Sequence, residues 1–195
     1  MFITGCKDAK VRMFDIMSPN PVKVFAGHLD RVYNVIFNPN LPNLIASGSD
    51  DLSIRIWDTQ REIPAAVAVC GGKDVKGSHT GNVRALAFLP EITWCLISGS
   101  WDSLIKLWDI RNGNCLYTIT DHNSDVYGIT LHPARPFLFA SCSRDTTIRL
   151  FSIDGLVSSL KMQLLHDSKI DNSKKQIFDT PQATYDQKGT YKLCA

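Results

Sequence analysis

The chain has 195 residues, 44% of them apolar, which suits a single domain with a buried core and a short extension. Its formal charge of +2 is too mild for a nucleic-acid footprint, which needs basic residues massed on one face. No run of about 18 apolar residues could span a bilayer, and the opening MFITGCKDAK lacks the basic segment and apolar run of a secretory signal.

In chain order, FITGC at residues 2–6 reads as a strand leading to a turn at Asp8. Residues 1–26 thus read as a partial unit whose first strand and Gly-His are missing. Residues 27–70 hold a whole unit, opening at Gly27-His28 and passing through GSDDLSIRIWD. Residues 71–78 are an insertion, the extra length lying between Arg61 and Ser78. Residues 79–120 hold a second whole unit, with strands expected at Val83 to Phe88, Cys95 to Ser100, Ile105 to Asp109 and Cys115 to Thr120. Each is rich in β-branched or aromatic residues, and turn residues such as Pro90, Asp102-Ser103 and Arg111-Asn112-Gly113 separate them. Residues 121–166 form a third, degenerate unit that includes CSRDTTIRLFS and a further stretch, GLVSSLKMQLLHD, with the character of one more strand. Residues 167–195 are polar and aperiodic and read as a tail of low order.

The units share one register. His28 precedes Asp51, His79 precedes Asp102 and His122 precedes Asp145 by 23 residues each. Aligned on these acids and on Asp8, Thr4, Ser47, Ser98 and Ser141 fall four residues earlier, and Phe14, Trp57, Trp108 and Phe151 six residues later. Pro39, Pro90 and Pro133 each lie eleven residues after a His. A fixed period of this size, four strands to a unit and no helical periodicity, indicates an all-β chain built by repetition. Six cysteines without a Cys-x-x-Cys pair, and no Asn-x-Ser/Thr acceptor, fit a reducing intracellular setting, taken here as cytoplasmic.

Gly27-His28, Ser47-Gly48-Ser49-Asp50-Asp51 and Ile54-Arg55-Ile56-Trp57-Asp58 make the chain similar to the WD-repeat family. There, Gly-His near the start and Trp-Asp near the end mark a unit of about 40–45 residues. The resemblance spans residues 2–155. It departs from the pattern at Ser78 before His79, at Asp121 before His122, and at Phe151-Ser152 in place of Trp-Asp. It implies β-propeller blades: about three complete four-stranded blades plus one partial, an open arc or a fragment of a larger propeller. Closed propellers hold about 4–8 blades, so the missing ones are expected from a longer chain or from self-association, since an open arc leaves strand edges unpaired.

The same resemblance implies a buried hydrogen-bonded tetrad in each blade: His28, Ser47, Asp51 and Trp57; His79, Ser98, Asp102 and Trp108; and His122, Ser141 and Asp145. The donor and acceptor capacities fit such a chain, which ends in a charge. Phe151 has no N–H, so Ser141 lacks a donor and the third blade is expected to be looser by about 1 kcal/mol. Ser, His and Asp together also suggest a hydrolase triad. Against that, the set recurs three times and no Gly-x-Ser-x-Gly elbow presents a serine. Asp58 and Asp109, after each Trp, read as turn formers. Gly71-Gly72-Lys73 lacks the residues of a phosphate loop, with Val67 and Asp74 in their places, and no His/Cys/carboxylate spacing suggests a metal site. No cofactor is expected.

In the family, partners meet the narrow face around the central channel. Three positions per blade project there: the residues before and after the leading Val of the first strand, and the residue before the tetrad Asp. They correspond to Arg31, Tyr33 and Asp50; Asn82, Arg84 and Trp101; and Asp125, Tyr127 and Arg144, with Lys7 from the partial blade. Tyr, Trp and Arg commonly carry interface energy. The mixture of Arg and Asp suits a protein or peptide partner more than a phosphate backbone. Trp101 is the sharpest candidate, the alternative being that it packs on the adjacent loop. The expected function is a non-catalytic scaffold for protein–protein interaction and complex assembly; the alternative is a substrate-recognition subunit of a larger enzyme complex.

Overall fold

A computed structural model describes residues 1–156. The expected tail and most of the GLVSSLKMQLLHD stretch lie outside the described residues. Among the described residues, four antiparallel sheets follow one another. The first comprises β1 (Phe2–Gly5), β2 (Lys10–Phe14) and β3 (Pro21–Ala26); the second β4 (Val32–Phe37), β5 (Leu44–Ser49), β6 (Ser53–Asp58) and β7 (Ala66–Gly71). The third comprises β8 (Val83–Phe88), β9 (Cys95–Ser100), β10 (Ile105–Asp109) and β11 (Asn114–Ile119); the fourth β12 (Val126–Leu131), β13 (Leu138–Ser143) and β14 (Ile148–Ser152). Within each sheet the strands pair in sequence order. Strand β1 lies against β4, β4 against β8 and β8 against β12, so the sheets stand side by side as blades of an unclosed arc.

In the third sheet three strands run where the residue pattern puts them. The fourth begins one residue early, at Asn114, because Gly113 (φ 78°) closes the preceding turn and the Asn112 side chain accepts the Asn114 N–H at 2.9 Å.

Sheets covered on both faces need apolar residues on both. In β6, Ile54 and Ile56 face the third sheet while Trp57 faces the first, and all three are fully buried. The core is therefore three clusters, one at each junction between consecutive sheets. Each buried Leu or Ile contributes about 1.5–3 kcal/mol. At each junction the backbone closes tightly: a Cβ placed on Gly5, Gly48 or Gly99 would lie 2.8, 2.9 or 2.6 Å from Cγ1 of Val32, Val83 or Val126 of the next sheet.

Candidate functional site

The turn after the second strand of each unit is built around its aspartate. Ala9, Leu52, Ser103 and Thr146, each directly after that Asp, have φ between 64° and 69° although none is glycine. The carboxylate holds this left-handed turn by accepting the N–H two residues on: Ser53 at 3.0 Å, Leu104 at 3.0 Å and Thr147 at 2.9 Å. Its other oxygen receives a histidine. His28 Nδ1 lies 2.8 Å from Asp51, and the His79–Asp102 and His122–Asp145 pairs have the same distance. A carboxylate only accepts, so Nδ1 carries the proton and Nε2 accepts from serine. Ser47, Ser98 and Ser141 stand 2.7, 2.7 and 2.6 Å from Nε2. Trp57 Nε1 donates to Ser47 at 2.8 Å and Trp108 Nε1 to Ser98 at 2.7 Å, completing a directional relay from indole to carboxylate. In the fourth sheet Phe151 has nothing to donate. Its ring stacks on Phe139 at 5.0 Å and meets His122 edge-on at 6.4 Å.

Ser47 and Ser98 are fully buried and Ser141 is 2% exposed, so no substrate carbonyl can approach their hydroxyls. Burial pushes the Asp51 and Asp102 carboxyls up, but hydrogen bonds from the histidine and from backbone N–H groups outweigh it and hold both below the usual range. Asp145 is held low first by the Thr147 hydroxyl. Burial lowers His79 against the pull of Asp102. The Cys70 and Cys95 thiols are buried and pushed up, which leaves them unreactive. Asp58 and Asp109 are turn acceptors, taking the N–H of Gln60 and of Arg111 at 2.9 Å.

The nine positions expected to face a partner come together at one end of the sheets, and β-bulges place three of them. The pairing of the first and second strands slips between Val32 and Asn34, Val83 and Ala85, and Val126 and Gly128. Tyr33, Arg84 and Tyr127 are the residues left over, and such residues leave the ladder and are re-aimed. Backbone bonds tie the other positions in pairs: Asp50 N–H to the Arg31 carbonyl at 2.9 Å, Trp101 to Asn82 at 3.0 Å, and Arg144 to Asp125 at 2.8 Å. Lys7 is exposed in the first turn.

Across sheets the side chains form a row. The Arg84 guanidinium lies over Tyr33, 3.1 Å from the ring centroid, and over Trp101 at 4.0 Å. Trp101 meets Tyr127 edge-on at 6.2 Å. Arg84 also pairs with Asp50 at 3.2 Å, with side chains only 10% and 12% exposed. Arg84 therefore does not project freely; it fastens the second sheet to the third. Trp101, Tyr33 and Tyr127 remain 39–47% exposed. Burial raises the Asp50 carboxyl, and Arg84 and Arg31 lower the Tyr33 hydroxyl. Arg144 is largely open, 3.5 Å from Asp125.

Several supporting residues escaped the sequence reading. Ser49, Ser100 and Ser143, two before each Asp, accept its N–H at 3.1 Å. Ser53 and Thr147, two after, donate to the carboxylate at 2.6 Å. Their common register was the available signal. Asn34 reaches the Arg84 carbonyl of the next sheet at 3.2 Å, with no repeat to announce it.

Residues 19–58, 72–109 and 113–152 match the family described as WD domain, G-beta repeat. Nuclear distribution protein PAC1 of Arthroderma otae is 30% identical over 158 residues, 77% of this chain and 32% of that protein. The U3 small nucleolar RNA-associated protein 15 homologs of Xenopus laevis and Xenopus tropicalis are each 28% identical over 144 residues, 74% of this chain and 26% of theirs. The chain thus spans about a third or less of the length of these relatives. Repeats of this family are generally non-catalytic scaffolds for protein interaction. Three matched segments covering more than half the residues, and the blades that carry them, show that the chain belongs to the WD domain, G-beta repeat family.

Proposed function

We propose that this chain is a non-catalytic scaffold that binds a protein or peptide across the end where the bulges and turns converge, the narrow face of the arc. The observation that carries this reading is the row Tyr33, Arg84, Trp101 and Tyr127. It joins three sheets, and its aromatic members stay partly exposed while their positions are held. Large rings with fixed geometry lose little entropy on binding and supply much contact area. The surrounding charge is mixed, with Arg31 and Arg144 beside Asp50 and Asp125, which favours a polypeptide of mixed charge and no nucleic acid.

The named roles of the relatives, in nuclear distribution and in association with U3 small nucleolar RNA, support membership of a larger assembly. We propose a finer kinship with WD repeat-containing protein 17, on the residue text of 96–109 and 121–150. We propose an intracellular, cytoplasmic setting, in keeping with six cysteines that form no Cys-x-x-Cys pair.

The test is affinity capture from cells with the wild type, Trp101→Ala and Tyr127→Ala, each melted in parallel. Both variants should lose the same captured proteins at least about five-fold, as expected of interface aromatics, with Tm within about 3 °C of wild type. Undiminished capture by both would move the contact off this face.

A further inference from the structure

The guanidinium of Arg84 fills a slot that other residues build. Tyr33 forms one wall and Trp101 the other, with ring centroids 3.1 and 4.0 Å from its central carbon, and the Asp50 carboxylate stands beside it at 3.2 Å. The walls are held from the backbone. Tyr33 is the residue left out of the ladder of the second sheet, and the N–H groups of Asp50 and Trp101 are tied to the carbonyls of Arg31 and Asn82. Tyr127, at 88° to Trp101, braces its ring. Two aromatic faces and a carboxylate make a receptor for a planar cation.

Arg84 occupies this receptor poorly. Its Nε–H and the Asp50 Oδ1 are buried, yet neither has a hydrogen-bond partner among the described residues. Arg84 and Asp50 Oδ1 thus meet as charges without a hydrogen bond, where a well-placed guanidinium donates two parallel bonds to a carboxylate. The reason lies in the chain. Arg84 leaves the ladder at the bulge in β8, and the Asn34 amide holds its carbonyl at 3.2 Å, so its side chain reaches the slot from a fixed anchor. Tyr33 and Trp101 meanwhile stay open to solvent, 47% and 39% exposed. A guanidinium arriving from solvent is not bound by that anchor.

We propose that Arg84 is a resident stand-in, and that the partner of this face presents an arginine that displaces it, stacking between Tyr33 and Trp101 and pairing with Asp50. The inference rests on the docking face proposed above and assigns the partner's chemistry there. One cation replaces another beside Asp50, so the carboxylate is never left unpaired, and the displaced Arg84 turns to solvent. A lysine lacks the plane that stacks on the two rings, and an acidic residue would meet Asp50 as a like charge.

The test titrates the full chain with N-acetyl-arginine amide and follows the indole N–H signal of Trp101, identified by its loss in Trp101→Phe. Arg84→Ala, or Arg84→Gln should the first not fold, should bind the amide at least about ten-fold more tightly than wild type, because a slot already filled weakens apparent affinity by the fraction left open. Adding Asp50→Asn should undo the gain, and the citrulline amide, alike in shape but uncharged, should not bind. Equal binding by wild type and the Arg84 variants, or binding by none, overturns the stand-in. N-acetyl-lysine amide binding as tightly as the arginine amide overturns the choice of arginine. In capture from cells, the proteins that Trp101→Ala loses should be captured by the Arg84 variants at least about three-fold more than by wild type. If Trp101→Ala loses them and the Arg84 variants capture no more than wild type, the proposal falls and the docking face stands. If neither Trp101→Ala nor Tyr127→Ala loses any, the face falls and the proposal with it.

Discussion

At the scale of single residues, the serine oxygen is the junction of each buried relay, and its two versions predict different costs. Ser98→Ala strands both Trp108 Nε1–H and His79 Nε2, which now meet at its Oγ. Ser141→Ala strands only His122 Nε2, because Phe151 donates nothing. One orphaned buried donor costs about 1–3 kcal/mol. Ser98→Ala should therefore destabilise more than Ser141→Ala by about that amount, read from urea midpoints at equal m. Equal losses would mean that the indole N–H contributes nothing measurable. Arg84 shows how a projecting position can turn inward. Its guanidinium lies between Tyr33 and Trp101 and pairs with Asp50, so Arg84→Ala should lower stability by about 1–3 kcal/mol through the uncompensated buried carboxylate. In Arg84→Ala/Asp50→Asn much of that loss should return; no recovery would assign the cost to lost packing on the rings.

At the scale of elements, the junction between sheets is set by backbone approach. Gly99→Ala puts a Cβ 2.6 Å from Val126 Cγ1, and Gly48→Ala puts one 2.9 Å from Val83 Cγ1. Overpacking of this kind costs about 1–3 kcal/mol, with Gly99 the more sensitive. Val126→Ala opens the same space. A double-mutant cycle of Gly99→Ala with Val126→Ala should therefore show favourable coupling of at least about 0.5 kcal/mol; additivity would show that the strands separate instead of clashing. Much of this architecture is legible in the residue order, because the His-to-Asp spacing and strand alternation recur and local sterics act alike in each unit. Strands β8, β9 and β10 run where the text places them. What repetition cannot announce is contact between units. The slip that throws Tyr33, Arg84 and Tyr127 out of the ladder is a property of pairing, and the covering of Arg84 depends on a tyrosine 51 residues earlier.

At the scale of the whole molecule, the relays make stability depend on pH in a defined direction. Asp51, Asp102 and Asp145 have folded pKa values below the unfolded carboxylate value. Their contribution is present above about pH 4 and is lost as pH falls below it, because the unfolded chain takes up protons that the folded one refuses. His79 acts earlier with the same sign. Its folded pKa lies below the ordinary imidazole value, so from about pH 6.5 downward the unfolded state is again the more protonated and stability declines. Asp50 opposes this: its folded pKa is raised, so its penalty at neutral pH is relieved as pH falls through that value. Asp8, beside Arg12, is held low as well, so one carboxylate set against four carboxylates and a histidine leaves a net loss toward acid. Tm should fall shallowly between about pH 6.5 and 5, then steeply below about pH 4. Asp50→Asn, which removes the opposing group, should steepen the decline toward acid. If Tm stays flat from pH 7 to pH 5, His79 takes up its proton equally in both states, and its buried place in the relay does not disfavour charge.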